Sequence, residues 1–166
     1  MSALTACGSA PESDTKQFRQ ALSQFATGVT VITTRQPDGG LIGVTVLSFA
    51  PVSLAPPLVL WSLAHTASKM AGFAGGGGYI INVLAGDQIE LAQRFANTGP
   101  GSFEALPFQL SPSGLPILSG SVAWFECCHR SSYTEGDVVI FVGEVERCHS
   151  HPQRTLGFHR GRFIAL

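Results

Sequence analysis

A chain of 166 residues suits one domain with a full core, and a formal net charge of −1 without clustered Lys and Arg excludes a nucleic-acid surface. Apolar residues make up 45% of the chain and charged residues 13%, greasy enough to require either a partner subunit or a large apolar pocket. A homodimer is the expected answer. No apolar run reaches membrane-spanning length, and the first fifteen residues lack the basic start and apolar centre of a signal peptide, so a soluble, cytoplasmic protein is expected.

In chain order, residues 1–14 are small, polar and aperiodic and read as a disordered tail, leaving 15–166 as the folded domain. Phe18, Ala21, Leu22 and Phe25 recur at helical spacing, with Ser13 or Asp14 to cap the helix and Gly28 to end it. Val29 to Thr34 reads as a strand, and the Pro37-Asp38-Gly39-Gly40 turn delivers it into a second strand, Leu41 to Phe49. The loop PVSLAPP, whose adjacent prolines bar ladder hydrogen bonds, leads to a third strand carrying Trp61 and Ser62-Leu63. A short helix over HTASKMAGFA, four glycines and the strand Tyr79 to Leu84 follow, then a helix over Asp87 to Phe95 capped by Asp87. The long connection Asn97 to Pro116 is rich in Gly, Pro and Ser, a length expected of a functional or subunit-spanning loop. Ser121 to His129 and Val138 to Cys148 read as a hairpin around 131–137, and Leu156 to Leu166 as a last strand interrupted at Arg160-Gly161-Arg162. About seven strands with two or three short helices, and no strand–helix alternation, predict a mainly β, closed antiparallel barrel.

Several motifs carry no chemistry. Gly75 to Gly78 lead from a helix into a strand, the reverse of a phosphate-binding turn, and lack its spacing. No CxxC pair exists among the four cysteines, which read as reduced thiols. With a hairpin turning near Thr134, Cys127-Cys128-His129 and Cys148-His149-His151 fall about 23 Å apart, too far to share an ion. A local site at Cys148, His149 and His151 stays open. No GxSxG elbow is present, and His65, directly after a strand, is either a loop residue or a ligand contact.

The constellation Thr45, Ser48, Ser62, Ser68 and Lys69 points further. It places hydroxyls on two adjacent strands and a Ser-Lys pair at the first turn of a helix, where free N–H groups, the helix dipole and an ammonium favour a phosphate. Val46, Leu47, Phe49 and Trp61 stand ready to flank a flat aromatic ring.

The segments FATGVTVITT, GVTVLSFAPVSLAPPLVLWSL, INVLAGDQIELAQRFA, GDVVIFVGEV and FHRGRF carry a resemblance. In order from about Phe18 to the C-terminus, they resemble the flavin reductase-like family, the short NAD(P)H:flavin oxidoreductases of two-component monooxygenases. The resemblance implies an FMN-binding split β-barrel of Greek-key type, a homodimer with FMN (or FAD) at the subunit interface, and NADH or NADPH as co-substrate. It implies flavin contacts from Thr45, Val46, Leu47 and Ser48, a wall from Ser62, Leu63 and Ala64, and a phosphate site at Ser68 and Lys69. Phe95 and Ala96 would close the site. Phe158, His159 and Arg160 would lie near the nicotinamide or its pyrophosphate, with no metal and no protein nucleophile, and reduced flavin would pass to a partner monooxygenase.

Three positions depart from the family pattern. Val46-Leu47 stand where alanine-asparagine is usual, Ala55 where an aspartate is usual, and Val138 where a histidine near the nicotinamide is usual. His159 or His129 are the candidates to replace that imidazole. Two other functions suit the same residues: a flavin carrier or sensor without nicotinamide turnover, and a split-barrel oxidase acting on a small phosphorylated substrate.

Overall fold

The structure is a computed structural model that describes residues 15–97 and 102–166; the expected tail 1–14 and part of the Asn97–Pro116 connection lie outside the described residues. The elements in chain order are α1 (Thr15–Ser23), β1 (Thr27–Gly28), β2 (Thr30–Arg35), β3 (Leu41–Val46), β4 (Ala50–Leu54) and β5 (Pro57–Ala64). There follow α2 (Met70–Ala74), β6 (Tyr79–Val83), α3 (Ile89–Ala96), β7 (Phe108–Leu110) and β8 (Pro116–Leu118). The chain ends with β9 (Ala123–Glu135), β10 (Val138–Ser150), β11 (Leu156–His159) and β12 (Arg162–Ala165). Among the described residues no helix is long and apolar enough to cross a membrane.

Seven strands form one antiparallel sheet in the order β3-β2-β6-β9-β10-β5-β4. Its two edges, β3 and β4, are consecutive in the chain and joined only by Leu47, Ser48 and Phe49. Laid flat, six strand intervals would separate those edges by about 29 Å. Three linking residues reach about 14 Å at most. The sheet therefore has to curl into a barrel, and residues 47–49 are its closing strap. Ser48 makes the closure directly: its hydroxyl accepts from the Ser62 N–H at 2.8 Å and donates to the Ser62 carbonyl at 3.1 Å.

The barrel interior is aromatic. Trp61, 0% exposed, stacks on Phe141 at 4.4 Å and meets Phe73 and Tyr79 edge-on. A second core lies outside, where Phe95 and Ala92 of α3 pack with Val29, Val31 and Leu156. Buried Asn82 joins the layers, donating to the Val31 carbonyl and the Thr33 hydroxyl, both at 3.0 Å, and accepting from the Leu118 N–H at 2.9 Å. Every one of its polar atoms is thereby partnered, as a buried amide requires. Buried Glu126 is held likewise. Burial alone would raise its pKa, but hydrogen bonds from Ser111 at 2.6 Å and Arg147 at 3.0 Å outweigh it and leave the carboxyl below its ordinary range.

Four expectations are corrected. PVSLAPP is mostly strand: β4 is an edge strand, and there a proline removes no ladder bond from the sheet interior. The β9–β10 hairpin turns at Gly136-Asp137, not near Thr134, so Cys127 pairs with Val145 and Cys148 with Phe125. Cys127 and Cys148 then lie only two to three residues apart along the ladder, but His129 and His149 remain about five apart, and among the described residues no three such side chains come together to hold an ion. Asp87 is not the cap of α3; Gln88 is, and its side chain instead accepts from the Ala85 N–H and donates to the Ser119 carbonyl. Finally, α1 ends at Ser23, short of the expected Gly28, and buries none of its residues: Phe18 and Leu22 on it are 58% and 56% exposed, and Phe25 just beyond it is 77% exposed. A whole apolar helix face is left uncovered within one chain.

Candidate functional site

The closing strap is also where the predicted site residues meet. Leu47, Ser48 and Phe49 belong to no strand, so their backbone N–H groups are not consumed by ladder pairing. Leu47 stays 38% exposed and lines a groove of about 270 Å³ with Leu22 and Phe25 from the α1 side and Phe158 from β11. Arg19, His159 and Arg160 rim the same groove. Arg160 adopts a positive φ of 48° in the two-residue turn between β11 and β12, which holds its guanidinium toward Gln24. An apolar trough with a cationic rim and unladdered amides suits a planar ring bearing negative charge.

On the other side of the strap, β3, α3 and Lys69 form a second cluster. The Thr45 hydroxyl donates to the Ala92 carbonyl of α3 at 2.7 Å. The Lys69 ammonium donates to the Gly43 carbonyl at 2.7 Å and the Asn97 carbonyl at 3.1 Å, with the Phe95 carbonyl at 3.5 Å. Lys69 thus neutralises the negative end of α3, where backbone carbonyls lack partners. Burial lowers its pKa from the ordinary 10.5. Phe95 is fully buried beneath this cluster, and Ala96 is exposed at the helix end.

Several predicted contacts are corrected in detail. Thr45 and Ser48 are not on a strand paired with the strand of Ser62; they come together only because the barrel closes, and the Thr45 and Ser48 hydroxyls already hold protein partners. Val46, Leu63 and Trp61 turn into the barrel, 6%, 8% and 0% exposed, so their side chains cannot flank a ligand outside it. Phe49 packs on Phe125 at 5.5 Å. Ser68 and Lys69 precede a helix of only five residues, and Met70 already donates its N–H to Ala67, so the dipole and free amides expected there are largely missing. What remains for an anion at this point is the exposed Ser68 hydroxyl and the Lys69 charge.

Sequence reading missed Arg19, Leu22 and Phe25 as groove residues because helical periodicity says that an apolar stripe exists but not what it faces. It also left His65 open. The His65 N–H and its ring Nδ1 both approach the Asp137 carbonyl, at 3.1 and 2.9 Å. A carbonyl only accepts, so Nδ1 carries the proton and Nε2 is the free atom. Val138 pairs with Ala64, which places this imidazole beside the position where the family's histidine is replaced.

Comparison with known proteins fits this arrangement. Residues 22–166 match the family described as "Flavin reductase like domain". The chain is 42% identical over 150 residues to "FMN reductase (NADH) SmoA" of Agrobacterium fabrum, covering 90% of this chain and 85% of that protein. It is 38% identical to the reductase component of a flavin-dependent trigonelline monooxygenase of Acinetobacter baylyi, covering 90% of this chain but only 48% of that longer protein. Among solved structures, a Streptomyces globisporus NADH:FAD oxidoreductase in complex with NAD and FAD fragments superposes with a TM-score of 0.88 at 32% identity, covering 95% of both chains. With a matching family domain over most of its length and a barrel closed by the same residues that carry the motifs, this chain belongs to the flavin reductase-like family.

Proposed function

We propose that this protein is an NAD(P)H:flavin oxidoreductase that reduces FMN or FAD and hands the reduced flavin to a partner monooxygenase. The observation that carries the reading is the strap Leu47–Phe49, which sets unladdered amides and an exposed apolar side chain against a groove rimmed by Arg19 and Arg160. Hydride transfer between a nicotinamide and a flavin is chemistry that the two cofactors supply. The chain's share is to bind and orient. Leu47 and Phe158 offer flat apolar surface for ring stacking, backbone N–H groups of the strap meet negative charge at a ring edge, and Arg19 and Arg160 meet phosphate charge. The Ser68 hydroxyl and the Lys69 charge serve a flavin phosphate. No group on the chain has to act as nucleophile.

Turnover tests this directly. Purified protein mixed with FMN or FAD and either NADH or NADPH should consume nicotinamide, followed by its absorbance, in a flavin-dependent way. Tight flavin binding with neither nucleotide consumed would leave the carrier reading, which Val138 favours, in its place.

Two further parts of the reading rest on the same frame. The uncovered face of α1, with Phe18 and Leu22, together with Phe25 just beyond it and Leu54 at 94% exposed, calls for a second copy of the chain to cover it. Sedimentation should report a homodimer at micromolar concentration, and Phe25→Asp should shift it toward monomer; a stable parent monomer overturns the expectation. Free thiols at Cys127, Cys128 and Cys148 suit a reducing, cytoplasmic compartment.

A further inference from the structure

One motif is not absorbed by flavin chemistry. His149 is the penultimate residue of β10 and His151 follows the strand, both exposed, at the far end of the long hairpin from the Gly136-Asp137 turn. The backbone stays paired through this stretch: His149 lies opposite Trp124, Ser150 opposite Ala123, and the His151 N–H donates to the Val122 carbonyl at 2.6 Å. Extended, paired backbone sends side chains alternately to opposite faces, so His149 and His151 share one face and Cys148 takes the other. The two imidazoles accordingly lie close, ring centres 4.6 Å apart at 75° to one another, with Trp124 at 6.3 Å from His149.

We propose that His149 and His151 form a bidentate site for a divalent transition-metal ion of the copper or nickel type. Two imidazoles bound to one ion, each nitrogen about 2.0–2.1 Å from it, have ring centres about 4.5 Å apart at a right angle and about 5.2 Å apart at the tetrahedral angle. The observed 4.6 Å brings both rings within reach of one ion, and a two-imidazole site completed by water suits copper or nickel rather than structural zinc, which takes four protein ligands. Both rings stand on hydrogen-bonded backbone, and the Gln153 N–H donating to the His151 carbonyl at 2.9 Å fixes the turn that follows. Little main-chain order is therefore lost on binding. Among the described residues no third His, Cys, Asp or Glu joins the pair, so water completes the coordination and the ion exchanges readily.

The untagged full-length chain gives the test. It should be retained on immobilised Ni²⁺, and Cu²⁺ should quench Trp124 emission saturably at one ion per chain, with two nitrogen ligands in the copper resonance spectrum. His149→Ala and His151→Ala should each raise the Cu²⁺ dissociation constant roughly tenfold or more. Cys148→Ser should leave it unchanged. Retention and quenching that survive both histidine variants, or that vanish in Cys148→Ser, overturn the proposal, as does a parent chain that binds neither ion. Flavin turnover plays no part in any of these readouts, so failure here is separate from failure of the reductase reading.

Discussion

Lys69→Ala is expected to weaken FMN binding about tenfold or more while weakening riboflavin binding roughly threefold at most, and to lower the unfolding free energy by about 1–2 kcal/mol. The two effects have separate causes. Stability falls because the ammonium now serves the Gly43 and Asn97 carbonyls, at 2.7 and 3.1 Å, and alanine leaves the end of α3 uncompensated. Phosphate binding falls because the ammonium charge is lost, and with it the donor held only loosely, at 3.5 Å, by the Phe95 carbonyl. Riboflavin, which lacks the phosphate, senses the first loss alone. Equal losses for the two ligands would mean that Lys69 is purely an anchor of α3. The pH dependence gives a second handle. Burial lowers the Lys69 pKa from 10.5, so the preference for FMN is present at neutral pH, where the amine is charged. It fades on the alkaline side before the pH at which an ordinary lysine titrates.

The same residue shows how much of the site was legible in the sequence. The Ser-Lys pair was visible, but its setting was not, because sequence spacing cannot tell a five-residue helix from a longer one with a usable dipole. The hydroxyls of Thr45 and Ser48 were visible too; that they are committed to the Ala92 and Ser62 backbone depends on barrel closure, which joins elements from opposite edges of the sheet. The strands themselves were readable wherever burial was one-sided or complete, as in Thr30–Arg35 and Tyr79–Val83. Strand β4 escaped notice because the adjacent Pro56 and Pro57 look like breakers until the edge position is known. The polar end of β9, from Ser131 to Glu135, read as loop because neither face there is buried. Helix α1 read correctly as a helix, but its apolar stripe said only that something must cover it. The groove between α1 and Arg160 links residues more than 130 positions apart, and only the family resemblance hinted at it.

Gly43→Ala is expected to damage fold and site together. A methyl group at Gly43 would stand 2.6 and 2.7 Å from the Phe95 ring carbons and 3.2 Å from the Thr33 methyl. Neither neighbour can retreat cheaply. Phe95 is fully buried and backed by Phe103 edge-on at 5.1 Å, while the Thr33 hydroxyl is fixed to the Pro116 carbonyl at 2.5 Å. The strain is relieved only if α3 lifts from β3, which stretches the Thr45–Ala92 bond and withdraws the Phe95 and Asn97 carbonyls from Lys69. Overpacking of this kind costs about 1–3 kcal/mol, occasionally more. For a chain of this size that lowers the melting temperature by about 3–10 °C. Flavin affinity should fall alongside, since α3 closes one side of the proposed site. Gly28→Ala is the matched control: nothing lies within 4 Å of its added methyl group, and it should melt close to the parent. Phe95→Leu in the Gly43→Ala background makes room at the contact and should recover part of the loss, giving a favourable coupling energy in the double-mutant cycle. If Gly43→Ala melts with the parent, α3 is not seated on β3, and the arrangement that brings Thr45, Lys69 and Phe95 together is wrong.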